Sequence, residues 1–200
     1  MDLQSKIILI SGPTASGKSN FAIKLAKKIN GEIINADSMQ VYRNVKILTA
    51  RPYKKDQKKI KHHLYGFVGS QENFSTGLWL KMAKIKIKEI LKRKKTPILV
   101  GGTGLYFQAI IKGIAKVPNI PKKLRNQVRL KQQKYGQKNF YKKLLKLDTK
   151  VKGKFDPNDV QRSIRAFEVK MYTKKSLYEW IDKTRSVFSE KDFLKIYINF

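Results

Sequence analysis

Gly12-Pro13-Thr14-Ala15-Ser16-Gly17-Lys18-Ser19 decides the fold. The stretch matches Gly-x-x-x-x-Gly-Lys-Ser/Thr and stands where that pattern has structural meaning. The apolar run from Lys6 to Ile10 before it reads as a strand, and Asn20 to Ile29 after it reads as a helix. Gly12 and Gly17 let backbone N–H groups converge on phosphate oxygens, and the helix N-terminus adds positive potential. Lys18 neutralises phosphate charge, and Ser19 can ligate Mg²⁺. The chain therefore binds a phosphorylated ligand on an α/β core. A glycine-rich turn without a ligand is the competing reading.

Outward from the loop, the helix shows Phe21, Leu25 and Ile29 on one face with Ala22 and Ala26 beside it, and Gly31 where it should stop. Glu32 to Ala36 is a second short strand that delivers Asp37 and Ser38 to its C-terminal end, the edge where open α/β sheets carry ligands. Residues 51–63 read as basic surface loop with a short helix. Residues 75–92 read as a helix with Leu78, Met82, Ile85, Ile90 and Leu91 as its apolar positions. Pro97 to Val100 is a buried parallel strand running into Gly101-Gly102-Thr103-Gly104, and a helix follows from about Leu105 to Lys112, ended by Gly113. This alternation is the doubly wound pattern.

From Pro118 the character changes. A basic helical stretch with Leu124, Val128, Tyr135, Phe140 and Leu144 is broken by Gly153 and Pro157. Asn158-Asp159 caps a helix with Ile164, Phe167, Val169 and Met171, and a short helix holds Leu177, Trp180 and Ile181. Phe193 to Phe200 alternates as a strand does. The expected architecture is a P-loop NTPase-like parallel sheet core (1–117), an all-helical insert (118–188) and a returning core strand (189–200).

The 200 residues hold 45 Lys plus Arg against 14 Asp plus Glu, a formal charge of +31. That balance implies a polyanionic partner such as nucleic acid. Biased base composition that makes Lys the default surface residue is the alternative. Cysteine is absent, which excludes disulfides and thiolate chemistry. Neither a signal peptide nor a membrane-length apolar run is visible, so a cytoplasmic protein with no membrane partner is expected.

Several residues are candidates for chemistry. Asp37 is a carboxylate beside the phosphate site, which suits a general base or a metal ligand, or merely a cap for the next turn. The strand before Gly101 ends without the acid expected of an ATPase or kinase. His62-His63 lacks the partners of a zinc site and reads as loop or substrate channel. Arg125, Arg129, Gln161, Arg162 and Arg165 offer forks for phosphates or base edges, with packing against acids as the alternative.

Six blocks occur in order: Gly12 to Ser19; Asp37-Ser38-Met39-Gln40-Val41-Tyr42-Arg43; Thr49-Ala50-Arg51-Pro52; His62-His63-Leu64; Gly101-Gly102-Thr103-Gly104-Leu105-Tyr106; and Asn158-Asp159-x-Gln161-Arg162-x-x-Arg165-Ala166-x-Glu168-Val169. Together they resemble the tRNA dimethylallyltransferases. The resemblance implies that Gly12, Thr14, Ala15, Ser16, Gly17, Lys18 and Ser19 grip dimethylallyl diphosphate with Mg²⁺ on Ser19, without ATP hydrolysis. The implied acceptor is N6 of the adenosine 3′ of the anticodon in tRNAs reading codons that start with U. Asp37 is then the base and Thr103 the hydrogen-bonding group at the reacting centre. Asp37, Ser38, Met39, Gln40, Thr103, Arg125, Gln161, Arg162 and Arg165 would hold the anticodon stem-loop. Leu48, Lys46 and Gly66 depart from the family pattern, which usually has Gly, an acid and Asp there. Family members also continue past residue 200, so a missing C-terminal part is expected, with a monomer as the complete form. A P-loop nucleotide or small-molecule kinase and an inactive RNA-binding remnant are the alternatives.

Overall fold

The computed structural model describes residues 6–45, 47–49, 51–52, 58 and 60–199. The readings that fall on residues 1–5, Lys46, Ala50, most of the stretch 53–59 and Phe200 lie outside the described residues. The chain divides into two compact units, Met1–Gly113 with Ser186–Phe200, and Ile114–Arg185.

The first unit is a five-stranded parallel sheet. Its strands are β1 (Ile7–Ser11), β2 (Gly31–Asn35), β3 (His62–His63), β4 (Thr96–Gly101) and β5 (Phe193–Tyr197), in the order β3-β2-β4-β1-β5. β4 is buried along its whole length, as a central strand covered on both faces must be, and the apolar run from Pro97 to Val100 satisfies that requirement. It lies between β1 and β2, pairing Ile98 with Ile8 and with Ile33. Among the described residues the helices that accompany the sheet include α1 (Lys18–Lys28), α2 (Thr76–Lys92) and α3 (Gly104–Lys112).

Two helix faces differ from the sequence reading. α1 buries Ala22 and Ala26, while Phe21 is 41% exposed. Small side chains let a helix lie close to a sheet, and Leu25 and Ile29 flank that contact half-buried. α2 buries Trp79, Leu80, Ala83, Ile87 and Ile90, leaving Leu78 and Ile85 exposed. That helix carries two apolar stripes one residue apart, and the stripe with Trp79 goes inward, where the indole N–H reaches the Asn35 carbonyl at 2.8 Å. The turn after α1 is also shifted. Asn30, not Gly31, takes the left-handed conformation (φ 52°). Gly31 opens β2, where a Cβ would stand 2.7 Å from Cδ1 of Ile98.

The second unit is helical: α4 (Lys122–Leu147), α5 (Val160–Thr173) and α6 (Leu177–Asp182). Its own core gathers Val128, Phe140, Leu144, Val151 and Phe167, with the Phe140 and Phe167 rings stacked at 4.9 Å. α4 ends at Leu147, ahead of the breaking residues Gly153 and Pro157, and it is interrupted at Gly136 (φ 67°, ψ 159°). Asp159 caps α5, accepting from the Arg162 N–H at 2.9 Å.

Candidate active site

α1 begins at Lys18, directly after Gly17, whose left-handed backbone (φ 79°) carries no side chain to cap the first turn. The loop's N–H groups are thus presented at a helix N-terminus, the arrangement that favours a phosphate. Lys18 Nζ donates to the Pro13 carbonyl and to Ser16 Oγ at 3.3 Å, so the ammonium lies across the loop. Burial lowers the Lys18 pKa, and the charge of Asp37 opposes that shift. Lys18 and Asp37 therefore sense each other, although they come from different strand ends.

That proximity follows from sheet order. β4 separates β1 from β2, and Gly101 at its end is the residue that lets the two loops converge. A Cβ on Gly101 would stand 2.7 Å from the Asp37 backbone N and closer still to the Ala36 carbonyl. Thr103 binds the same segment: its N–H donates to Ala36 O at 3.3 Å, and its Oγ1 accepts from the Ser38 N–H at 2.9 Å. The Asp37 carboxylate accepts from the Met39 N–H through Oδ1 at 2.9 Å. Gln40 donates to the Thr49 carbonyl at 2.8 Å.

A cavity of about 490 Å³ is lined by Thr14, Ala15, Ser16, Gly17, Lys18 and Ser19 on one side and by Asp37, Met39 and Gln40 on the other. Tyr65, absent from the sequence reading, also lines it, and burial followed by the Asp37 charge raises its phenol pKa. Its position directly after the His62-His63-Leu64 block was the available signal. Gly12 lies at a second cavity of about 480 Å³, beside Pro13 and Gly102.

His62-His63 corrects the expectation of a loop or channel. The pair forms β3, and His63 is buried with its Nε2 2.7 Å from Glu32 Oε2. Arg93 and Lys95 also reach Glu32, at 2.8 and 3.2 Å. Burial pushes the Glu32 carboxyl up, but hydrogen bonds from His63, Arg93 and Lys95 outweigh it and hold the group at about 2. Gly66, with φ 56°, leaves room for the Arg51 guanidinium, which donates to the Tyr42 carbonyl at 3.1 Å.

Arg125, Gln161, Arg162 and Arg165 belong to the helical unit. Gln161 and Arg162 are exposed, and Arg162 pairs with Asp159 at 3.3 Å. Half-buried Arg165 stands 3.7 Å from buried Glu168. The buried Nε of Arg125 has no hydrogen-bond partner among the described residues.

Fold and site together define a P-loop α/β protein whose glycine-rich loop shares its cavity with a strand-terminal carboxylate. Residues 40–199 match the IPP transferase family and residues 5–66 match isopentenyl transferase. The chain belongs to the IPP transferase family, the tRNA dimethylallyltransferases. It is 69% identical over its whole length to the tRNA dimethylallyltransferase of Pelagibacter ubique (strain HTCC1062), covering 64% of that protein. It is 49% identical over 88% of its length to that of Rickettsia massiliae (strain Mtu5), covering 49%. Among solved structures, a eukaryotic dimethylallyltransferase acting on tRNA superimposes with a TM-score of 0.82 at 31% identity, over 96% of this chain and 48% of that one. The tRNA delta(2)-isopentenylpyrophosphate transferase of Staphylococcus epidermidis gives 0.55 at 34% identity, over 96% and 63%. The chain thus spans about half to two-thirds of the length of the relatives it matches.

Proposed function

We propose that this chain transfers the dimethylallyl group of dimethylallyl diphosphate to N6 of the adenosine immediately 3′ of the anticodon, in tRNAs reading codons that begin with U. One observation carries the reading: the P-loop and the Asp37 carboxylate line the same cavity, so a diphosphate leaving group and a proton acceptor can flank one reacting carbon. N6 attacks the allylic carbon, the carbon–oxygen bond to diphosphate breaks, and the amine proton passes to Asp37. The adenine amine is a weak nucleophile because its lone pair is drawn into the ring. A carboxylate that accepts the proton as the bond forms relieves the charge growing on nitrogen.

Gly12, Thr14, Ala15, Ser16 and Gly17 supply the backbone cradle, and Lys18 and Ser19 face the departing diphosphate. Thr103 holds the backbone beside the reacting centre. Among the described residues no group of three His, Cys, Asp or Glu could cage a metal. The Ser19 hydroxyl would hold Mg²⁺ together with the bound diphosphate, and the ion would neutralise charge on the leaving group. Ser38, Met39 and Gln40 stand where the flipped adenosine enters, and Arg125, Gln161, Arg162 and Arg165 contact the stem-loop. A single-stranded loop makes extrusion of the base inexpensive.

Mass analysis of nucleosides from tRNA incubated with the protein, dimethylallyl diphosphate and Mg²⁺ tests the reading. A mass gain confined to the adenosine beside the anticodon supports it. Phosphate transfer from ATP with no prenylation overturns it.

A further inference from the structure

Asn35 closes β2 and is fully buried, an uncommon place for an amide side chain. Both polar atoms of its amide are engaged. Oδ1 accepts from the N–H of Asp37 at 2.9 Å, and Nδ2 donates to the carbonyls of Asp37 at 2.9 Å and Leu64 at 3.0 Å. The partners also fix its orientation, because a flipped amide would face two carbonyls with its oxygen and an N–H with its NH₂. Behind it, the Asn35 carbonyl accepts from the Trp79 indole at 2.8 Å, and Trp79 stacks on Tyr106 with ring centroids 4.1 Å apart.

We propose that Asn35 is the positioning residue for the Asp37 carboxylate. It grips the Asp37 peptide by both its N–H and its C=O, which sets where the Asp37 side chain leaves the backbone. Met39 N–H then occupies Oδ1, and Oδ2 is left toward Gly102, whose Cβ position lies 3.8 Å away. Asn35 is buried behind the cavity wall, so it acts through Asp37 and not on a ligand. Its bond to Leu64 also ties the catalytic strand end to the segment that carries Tyr65. Only an amide offers one acceptor and two donors in this geometry; serine keeps the acceptor, and alanine keeps nothing.

The inference rests on the reading of Asp37 as proton acceptor, and a double-mutant cycle separates the two. Misplacing a catalytic group by an ångström costs on the order of 10²-fold. Single-turnover dimethylallyl transfer should fall about 10- to 100-fold in Asn35→Ala and less in Asn35→Ser. Anticodon stem-loop affinity should stay within about threefold of the parent, since no ligand contact is lost. In an Asp37→Asn background, Asn35→Ala should cost less than about twofold more. Amide exchange at Asp37 should accelerate in Asn35→Ala while protection along β4 is kept, which establishes that the variant is folded. A full penalty for Asn35→Ala in both backgrounds, or unchanged exchange at Asp37, overturns the positioning role and leaves the base assignment standing. An Asp37→Asn protein as fast as the parent removes the base assignment, and this inference with it.

Discussion

Lys18 and Gly101 show how single residues make the site. Lys18 can neutralise the diphosphate both before and during departure, so Lys18→Ala should weaken diphosphate binding as well as slow transfer. Equilibrium binding of inorganic diphosphate reads the first effect alone; unchanged affinity would remove Lys18 from the phosphate site. Gly101 acts by being absent as a side chain. A methyl there meets backbone atoms of Ala36 and Asp37, which cannot swing aside as a flexible side chain could. Gly101→Ala should therefore cost about 1–3 kcal/mol of stability and displace Asp37. Denaturant midpoint and transfer rate should fall together, whereas a fall in stability with an unaltered rate would show that Asp37 tolerates the shift. The P-loop was legible because its chemistry is local: eight consecutive residues and their flanking elements suffice. Asn35 and Trp79 were not, because their roles are tertiary. An asparagine closing an apolar strand looks like an ordinary strand end until Trp79, Asp37 and Leu64 arrive around it.

At the scale of elements, β3 is only two residues long, and side chains secure it more than its ladder does. His63 on β3 meets Glu32 on β2, and Arg93 and Lys95 bracket the same carboxylate from the end of α2 and the approach to β4. Glu32 is held at about 2, below its ordinary 4.5, so the folded state binds fewer protons than the unfolded chain between those values. Its contribution is present above pH 4.5 and is lost as pH falls toward 2. Burial likewise keeps His63 below its ordinary 6.5, with Glu32 opposing, so its contribution begins to decline as pH drops under 6.5. Stability should therefore decrease monotonically on acidification from neutral pH, and Glu32→Gln should flatten the part below 4.5. Urea midpoints across that range check this; a parent protein whose midpoint is constant between about pH 7 and 4 would contradict it. The histidine pair also marks where the sequence ran out. Adjacent histidines carry no periodicity, and the acidic partner of His63 lies about thirty residues earlier in the chain. The two stripes of α2 were ambiguous for a similar reason, since the partners of the buried stripe, Tyr106 and the Asn35 carbonyl among them, are tertiary.

For the whole molecule, the charge of +31 is the property with the furthest reach. α4 carries basic residues throughout and not one Asp or Glu, and the exposed Arg162 sits on α5 of the same unit. If this surface grips RNA, affinity for an anticodon stem-loop should fall linearly in log salt, each neutralised phosphate adding about 0.7–0.9 to the slope. Arg162→Ala should reduce the slope by about 1. A slope near zero would mean that the lysines reflect composition and not a partner. Among the described residues no helix is long and apolar enough to cross a membrane. The most direct test of the central claim compares Asp37→Asn with the parent in single-turnover dimethylallyl transfer and in stem-loop binding. The substitution keeps size and removes basicity, so the transfer rate should fall by about 10²–10⁴ while RNA affinity changes less than about tenfold. A folded Asp37→Asn protein that transfers within a few-fold of the parent would contradict the account.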